Sequence, residues 1–316
     1  MAVLVTGGAG FIGSHLVDAL LVRGDEVIVV DDFNDYYDPR VKRANLARHR
    51  DHPGLVVVEG DICDLDFLNA SLRGRSIRII VHLAARAGVR PSIASPQLYV
   101  RTNCLGTANI LELARLIEVD RLVFASSSSV YGNSNEVPFR EADRVDSPVS
   151  PYAATKVAGE LLCATWHSLY GVPVTALRFF TVYGPRQRPD MAIHAFTRLI
   201  ETGQEIPFFG DGSTERDYTF VTDILQGLLA AIDTPLRFEI INLGESRTTT
   251  LGRLVELLEE ALGKPARRKI LPMQPGDVRR TCADVSKARA LLGYNPGIPI
   301  EEGIPRFVEW YRSVSK

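Results

Sequence analysis

The first half of the chain alternates short runs that are apolar at nearly every position with longer stretches of helical periodicity. The runs are Val3-Leu4-Val5, "EVIVVDD", "LVVVEGDI", "IRIIVHLAA" and "RLVFASSS". A strand that is apolar throughout is buried on both faces, the pattern of a parallel sheet covered by helices. Residues 14–23, with Gly24 as a stop, and residues 103–117 and 152–170 carry helical spacing. The alternation predicts an α/β fold with a doubly wound parallel sheet over residues 1–180. After "VTALRFFTVYGP" the texture changes, and residues 185–220 are rich in Gly, Pro, Arg and Asp. One further apolar run, "RFEIINL" at 237–243, is a candidate to return to the sheet. No repeat or flexible linker separates the halves, so residues 181–316 are expected to form a smaller C-terminal substrate-binding domain packed on the first.

Composition narrows the class. The 316 residues are 46% hydrophobic and 23% charged, with a formal net charge of −2. No basic block or stripe is present, which argues against nucleic acid as a partner. No apolar run reaches membrane-spanning length. The opening "MAVLVTGGAGFIG" has no basic leader and reads as a first strand. The four cysteines lie far apart without metal-type spacing, so no metal site and a cytoplasmic location are expected.

The first strand runs into Gly7-x-x-Gly10-x-x-Gly13, which opens a helix. Glycines there allow a tight turn and close approach of a pyrophosphate, which the helix N-terminus attracts. The next strand ends in Asp31-Asp32, where an acid accepts from ribose hydroxyls and repels a 2′-phosphate. A Rossmann-type site for NAD rather than NADP follows. Asp61-Ile62, at the end of the third strand, is a candidate adenine contact and equally a strand-end turn.

Tyr152-x-x-x-Lys156 begins a helix after "SPVSP". Positions i and i+4 share a face, so phenol and ammonium can converge on one ligand. A nearby ammonium is expected to lower the tyrosine pKa and make it a usable acid/base. The preceding "ASSSSVYG" ends an apolar strand in four hydroxyls and no acid.

These motifs together resemble the extended short-chain dehydrogenase/reductase family, in its nucleotide-sugar branch. "GDGSTERDYTFVTDI" (210–224) and "PGDVRRTCADVSKARALLGYNP" (275–296) are similar to that branch's substrate-domain motifs. "FNDYYDPRVKRANL" (33–46), "HLAARAGVRPS" (82–92) and "GPRQRPDMA" (184–192) resemble its UDP-glucuronate 4-epimerases. The resemblance implies a catalytic set of Ser127, Tyr152 and Lys156. Tyr152 would take the proton of the sugar 4-hydroxyl, Ser127 would hold that oxygen, and Lys156 would hold the nicotinamide ribose. It implies cofactor contacts from Gly7, Gly10, Phe11, Ile12, Gly13, Asp31, Asp32 and Asn34. Asp61, Ile62, Leu83, Ala84, Ala85 and Asn103 complete that set with Tyr152 and Lys156. On the substrate side it implies Arg90, Ser128, Ser129, Thr181, Arg188, Arg216 and Asp277. Arg216 would bind the diphosphate, Asp277 the uridine ribose, and Arg188 the nucleotide or diphosphate; Arg186 is a weaker candidate. Thr281 stands where some UDP-glucose epimerases have a bulky Tyr.

The missing acids carry information. Related 4,6-dehydratases place Asp then Glu where Ser128 and Ser129 stand, and serine is neither acid nor base near neutral pH. Related decarboxylases carry a Glu at the Ser129 position. Neutral donors can hold a sugar carboxylate without the repulsion an acid would bring. Ser128 and Ser129 are such donors, or alternatively they satisfy backbone groups at the end of the strand. The expected activity is NAD-dependent 4-epimerisation of UDP-glucuronate and UDP-galacturonate through a 4-keto sugar. The alternatives are a UDP-glucose 4-epimerase, a UDP-glucuronate decarboxylase, or a dinucleotide-binding sensor without chemistry. Members of the branch are commonly homodimers, here through the helices at 103–117 and 152–170.

Overall fold

The computed structural model describes residues 1–133, 136–273 and 276–315. Pro275, the first residue of the "PGDVRRTCADVSKARALLGYNP" motif, lies outside the described residues. The first six strands are β1 (Ala2–Thr6), β2 (Glu26–Asp31), β3 (Leu55–Glu59), β4 (Ile77–His82), β5 (Arg121–Ser127) and β6 (Val174–Phe179). There follow β7 (Thr181–Tyr183), β8 (Glu205–Phe209), β9 (Glu215–Phe220), β10 (Phe238–Leu243), β11 (Thr248–Thr250) and β12 (Arg267–Leu271). Seven of them form one parallel sheet in the order β3-β2-β1-β4-β5-β6-β10. The returning run at 237–243 is thus β10, paired in parallel with β6.

Alternate side chains of the central strands feed opposite layers. Val3 and Val5 join one hydrophobic cluster, while Leu4 joins the other with Ile28 and Ile80. The layer on the Val3 and Val5 face is continuous with Phe196, Leu254 and Phe307, so the two halves of the chain share a core. β3 departs from the expectation of burial on both faces. It is the edge strand, with β2 as its one neighbour, and Val57 is 44% exposed. Among the described residues no helix is long and apolar enough to cross a membrane.

Local signals explain the helix that carries the candidate catalytic pair. Ser150 caps Pro151–Tyr170 by accepting from the Ala153 N–H, Pro151 occupies the first turn, and Gly171 closes it in the left-handed conformation at φ 71°. The helix expected from residue 103 begins earlier. Pro96–Tyr99 leads through a widened π turn at Val100–Leu105 into Gly106–Leu116.

Candidate active site

The chain leaves β1 toward β2 and β3, then returns as β4 on the other side of β1. A crevice opens at the carboxyl ends of such a pair. Gly7 turns the chain there at φ +70°, and a Cβ on it would lie 2.8 Å from the Ala84 Cα. A Cβ on Gly13 would overlap the Gly7 carbonyl oxygen. Gly10 is the N-cap of the helix Phe11–Val22, which has no side-chain cap and no acid in its first turn. Its free N–H groups and positive dipole end therefore face the crevice ready for an anion. Asp31 is buried and accepts from the N–H groups of Phe33 (2.9 Å) and Ala9 (3.1 Å), which ties the glycine loop to β2. Burial pushes its pKa up, against the Phe33 amide and the Lys42 charge. Asp32 holds Asn34 through the backbone N–H at 3.1 Å.

A buried hydrogen-bond relay sets the next loop. Thr6 Oγ1 accepts from the Ala84 N–H (3.2 Å) and donates to His82 Nδ1 (2.7 Å). His82 is therefore protonated on Nε2 and donates to Thr107 Oγ1 (3.1 Å), which donates to the Asn103 carbonyl (2.5 Å). Burial, then the Lys156 charge, pushes the His82 pKa down to about 3. Asn103 does not line the crevice as expected. Its amide is committed to the Arg86 N–H (2.8 Å), the Arg86 carbonyl (3.0 Å) and Thr155 Oγ1 (2.9 Å). It pins the loop after β4 to the helix Pro151–Tyr170.

β5 delivers the serines. Ser126 faces the core and donates to Glu160 Oε1 (2.5 Å). Glu160 pairs with Arg178 on β6 (2.8 Å), which donates to Tyr131 Oη (2.9 Å). None of this network was anticipated from the sequence, although Glu160 lies one helical turn beyond Lys156. Ser127 ends the strand, and its Oγ accepts from the Ser129 N–H (3.2 Å) and donates to Ser129 Oγ (3.1 Å). The capping oxygen of this turn is thus Ser127, which leaves the half-buried Ser128 and Ser129 side chains on the cavity wall.

Tyr152 and Lys156 both line that cavity. Burial raises the Tyr152 phenol above its ordinary value, while the Ser127 hydroxyl and the Arg188 charge pull it back. The expected lowering by Lys156 is not what the geometry provides. Lys156 Nζ donates to the Ala125 carbonyl (2.7 Å), lies 5.9 Å from the Tyr152 ring centroid, and is pushed by burial down to about 8. Arg188, on the same cavity wall, adds a positive charge that favours the phenolate.

The cavity encloses about 670 Å³. It is lined by the glycine loop with Phe11 and Ile12, by Asp31, Asp32, Asn34, Asp61 and Ile62, and by Leu83, Ala84 and Ala85. Its other end brings together Ser127–Ser129, Tyr152, Lys156, Thr181, Arg188, Arg90 and Asp277. Asp61 pairs with Arg101 at its rim (2.9 Å). Arg216 lies outside this wall, in an adjoining cavity of about 140 Å³ that shares Ser128, Ser129, Thr181 and Asp277 and reaches Thr281. Arg90 and Asp277 meet each other at 3.2 Å. Arg186 turns away, to Asp18 at 2.7 Å. Tyr36, Tyr37, Lys42 and Asp190 also line the cavity, although no role was read for them; the first three sit in the quoted "FNDYYDPRVKRANL" stretch.

Sheet order, glycine loop and the Tyr152/Lys156 helix define a nucleotide-sugar enzyme of the extended short-chain dehydrogenase/reductase class. Within it, the chain belongs to the GDP-mannose 4,6 dehydratase family, whose model matches residues 4–307. It is 44% identical to a UDP-glucuronate 4-epimerase of Thermodesulfobacterium geofontis, over 97% of this chain and 95% of that protein. It is 43% identical to UDP-glucuronate 4-epimerase 4 of Arabidopsis thaliana, over 99% of this chain and 76% of the relative. The crystal structure of the Bacillus cereus UDP-glucuronic acid 4-epimerase, in complex with UDP-glucuronic acid and NAD, superposes with a TM-score of 0.93. That match has 35% identity and covers 99% of this chain and 100% of the other.

Proposed function

We propose that this protein is an NAD-dependent 4-epimerase interconverting UDP-glucuronate and UDP-galacturonate. The observation that carries the reading is the chemistry of the cavity's substrate end. Three serines and Thr181 face the Tyr152/Lys156 pair, and the two carboxylates there, Asp190 and Asp277, are each held by an arginine. Among the described residues no free acid stands beside the serines to drive elimination, and neutral donors suit a substrate carboxylate.

The uncapped helix start at Gly10 and the glycines with no room for a Cβ fit a dinucleotide. Gly7, Gly10, Gly13, Asp31 and Asp32 would hold it, with Ala84, Ala85 and Lys156 along its length. When bound, NAD supplies the hydride acceptor and donor. Tyr152 Oη takes and returns the proton of the sugar 4-hydroxyl, and Ser127 Oγ holds that oxygen. Ser128, Ser129 and Thr181 hold the sugar carboxylate out of the orientation that favours loss of carbon dioxide. Arg216 and Arg188 serve the diphosphate, and Asp277 the uridine ribose once Arg90 releases it. Residues 181–316 contribute Thr181, Arg188, Arg216 and Asp277 to the substrate side, while β10 completes the sheet. A homodimer through the helices Gly106–Leu116 and Pro151–Tyr170 accounts for exposed Leu105, Leu116 and Leu161. The four free cysteines suit the cytoplasm.

The test is purified protein with UDP-glucuronate and no added NAD, with the sugars identified by NMR. UDP-galacturonate is expected. A UDP-pentose would point to decarboxylation, and turnover of UDP-glucose alone would make the substrate a neutral hexose.

A further inference from the structure

Three loops from separate parts of the chain meet at a phenol that the roles above leave unused. Tyr36 lies between β2 and the helix Pro39–Ala47, and its Oη donates to Asp190 Oδ2 at 3.3 Å. Asp190 belongs to the loop between β7 and the helix Ala192–Glu201. Arg188 of that loop grips Asp190 through Nε (2.9 Å) and Nη2 (3.0 Å), with its guanidinium 5.5 Å from the Tyr36 ring centroid. From the third side comes the loop after β4. A Cβ on Gly88 would lie 3.0 Å from Tyr36 Oη, and neighbouring Tyr99 donates to the Ala87 carbonyl at 2.8 Å.

The Arg188 loop is also anchored from behind. Arg186 pairs with Asp18 (2.7 Å), His15 meets the Pro185 carbonyl (2.8 Å), and His194 meets the Gln187 carbonyl (2.7 Å). Only the tip of this loop reaches across to Tyr36. Tyr36, Gly88, Arg188 and Asp190 all line the same cavity as the glycine loop and Tyr152. Their contacts therefore bridge its two sides.

We propose that Tyr36 and Asp190 are positioning residues forming a clasp over the dinucleotide, which leaves only when their contact opens. The proposal rests on the NAD reading above. A 4-epimerase regenerates its cofactor in every cycle and has no need to exchange it, so a closed clasp costs no turnover. The same contact fixes Arg188 on the wall of the cavity that Tyr152 also lines, so the clasp keeps a cation at that end of the cavity.

The experiment uses the holoenzyme with its bound NAD. Release is followed by capture in an excess of alcohol dehydrogenase and ethanol, read as NADH absorbance. Tyr36→Phe and Asp190→Asn should each release NAD at least about tenfold faster, the scale of one lost hydrogen bond to a charged group. The double variant should release no faster than the faster single one, because the Tyr36 hydroxyl acts through Asp190. Release at the wild-type rate in both variants overturns the clasp, as does multiplication of the two effects in the double variant. If Asp190→Asn loses thermal stability, Tyr36→Phe decides, since it removes one hydroxyl only. A wild-type chain that neither retains nor binds added NAD overturns the cofactor reading itself.

Discussion

Burial, more than neighbouring charge, sets the ionisation of His82. Its pKa falls from 6.5 to about 3, so between those values the unfolded chain holds the extra proton and stability falls as pH drops. Buried Asp217 works in the opposite sense. Its carboxyl is raised from 3.8 to about 6, so the folded chain holds the extra proton there and stability rises as pH falls through that window. His82→Gln should remove the first effect alone. Going from pH 7 to pH 5, wild type should lose about 2 kcal/mol on account of His82, and the variant should not. Urea unfolding at the two pH values reads the difference, and equal slopes would show that the relay does not keep His82 neutral. The serines are tested by their products. Ser128→Ala with Ser129→Ala should raise the share of UDP-pentose formed from UDP-glucuronate, and an unchanged product profile would return both residues to a structural role.

The elements around the site are braced by polar groups that periodicity does not flag. Glu160 on Pro151–Tyr170, Arg178 on β6 and Ser126 on β5 form one buried network, with Arg178 2% exposed. Replacing one partner leaves the other charge buried and unpaired. Glu160→Gln should therefore cost about 3–5 kcal/mol, measured as a shift of the urea midpoint. A loss below about 1 kcal/mol would mean that water or another group satisfies Arg178. Arg178 sits within the apolar run "VTALRFF", where pattern alone gives no reason to expect a pair on another element. The strands themselves were legible, because residues buried on two faces must be apolar at both alternations. β3 misled, since an edge strand can carry the same residues while one side stays open.

At the scale of the molecule, exposed Leu105 (47%) and Leu161 (63%) stand on neighbouring helices. Large apolar side chains left in water on adjacent elements favour association. Leu105→Glu with Leu161→Glu should convert a dimer to a monomer in light scattering, with the fold retained by circular dichroism. A wild-type monomer at the same concentration would remove that interface. The shared core predicts cooperative unfolding of both halves, because the Val3 and Val5 layer continues into the C-terminal segment.

The sequence by itself determined the parallel sheet, the dinucleotide turn and the Tyr152/Lys156 helix. Each depends on local rules: strand burial, glycine conformation and helical spacing. The tertiary structure decided which groups act on one another, since that depends on contacts between residues far apart in the chain. It turned Asn103 from the cavity into a brace and drew Lys156 to the Ala125 carbonyl. The loop that carries Tyr36 was visible as a motif, but its partner Asp190 lies 154 residues away. Only folding brings them within reach.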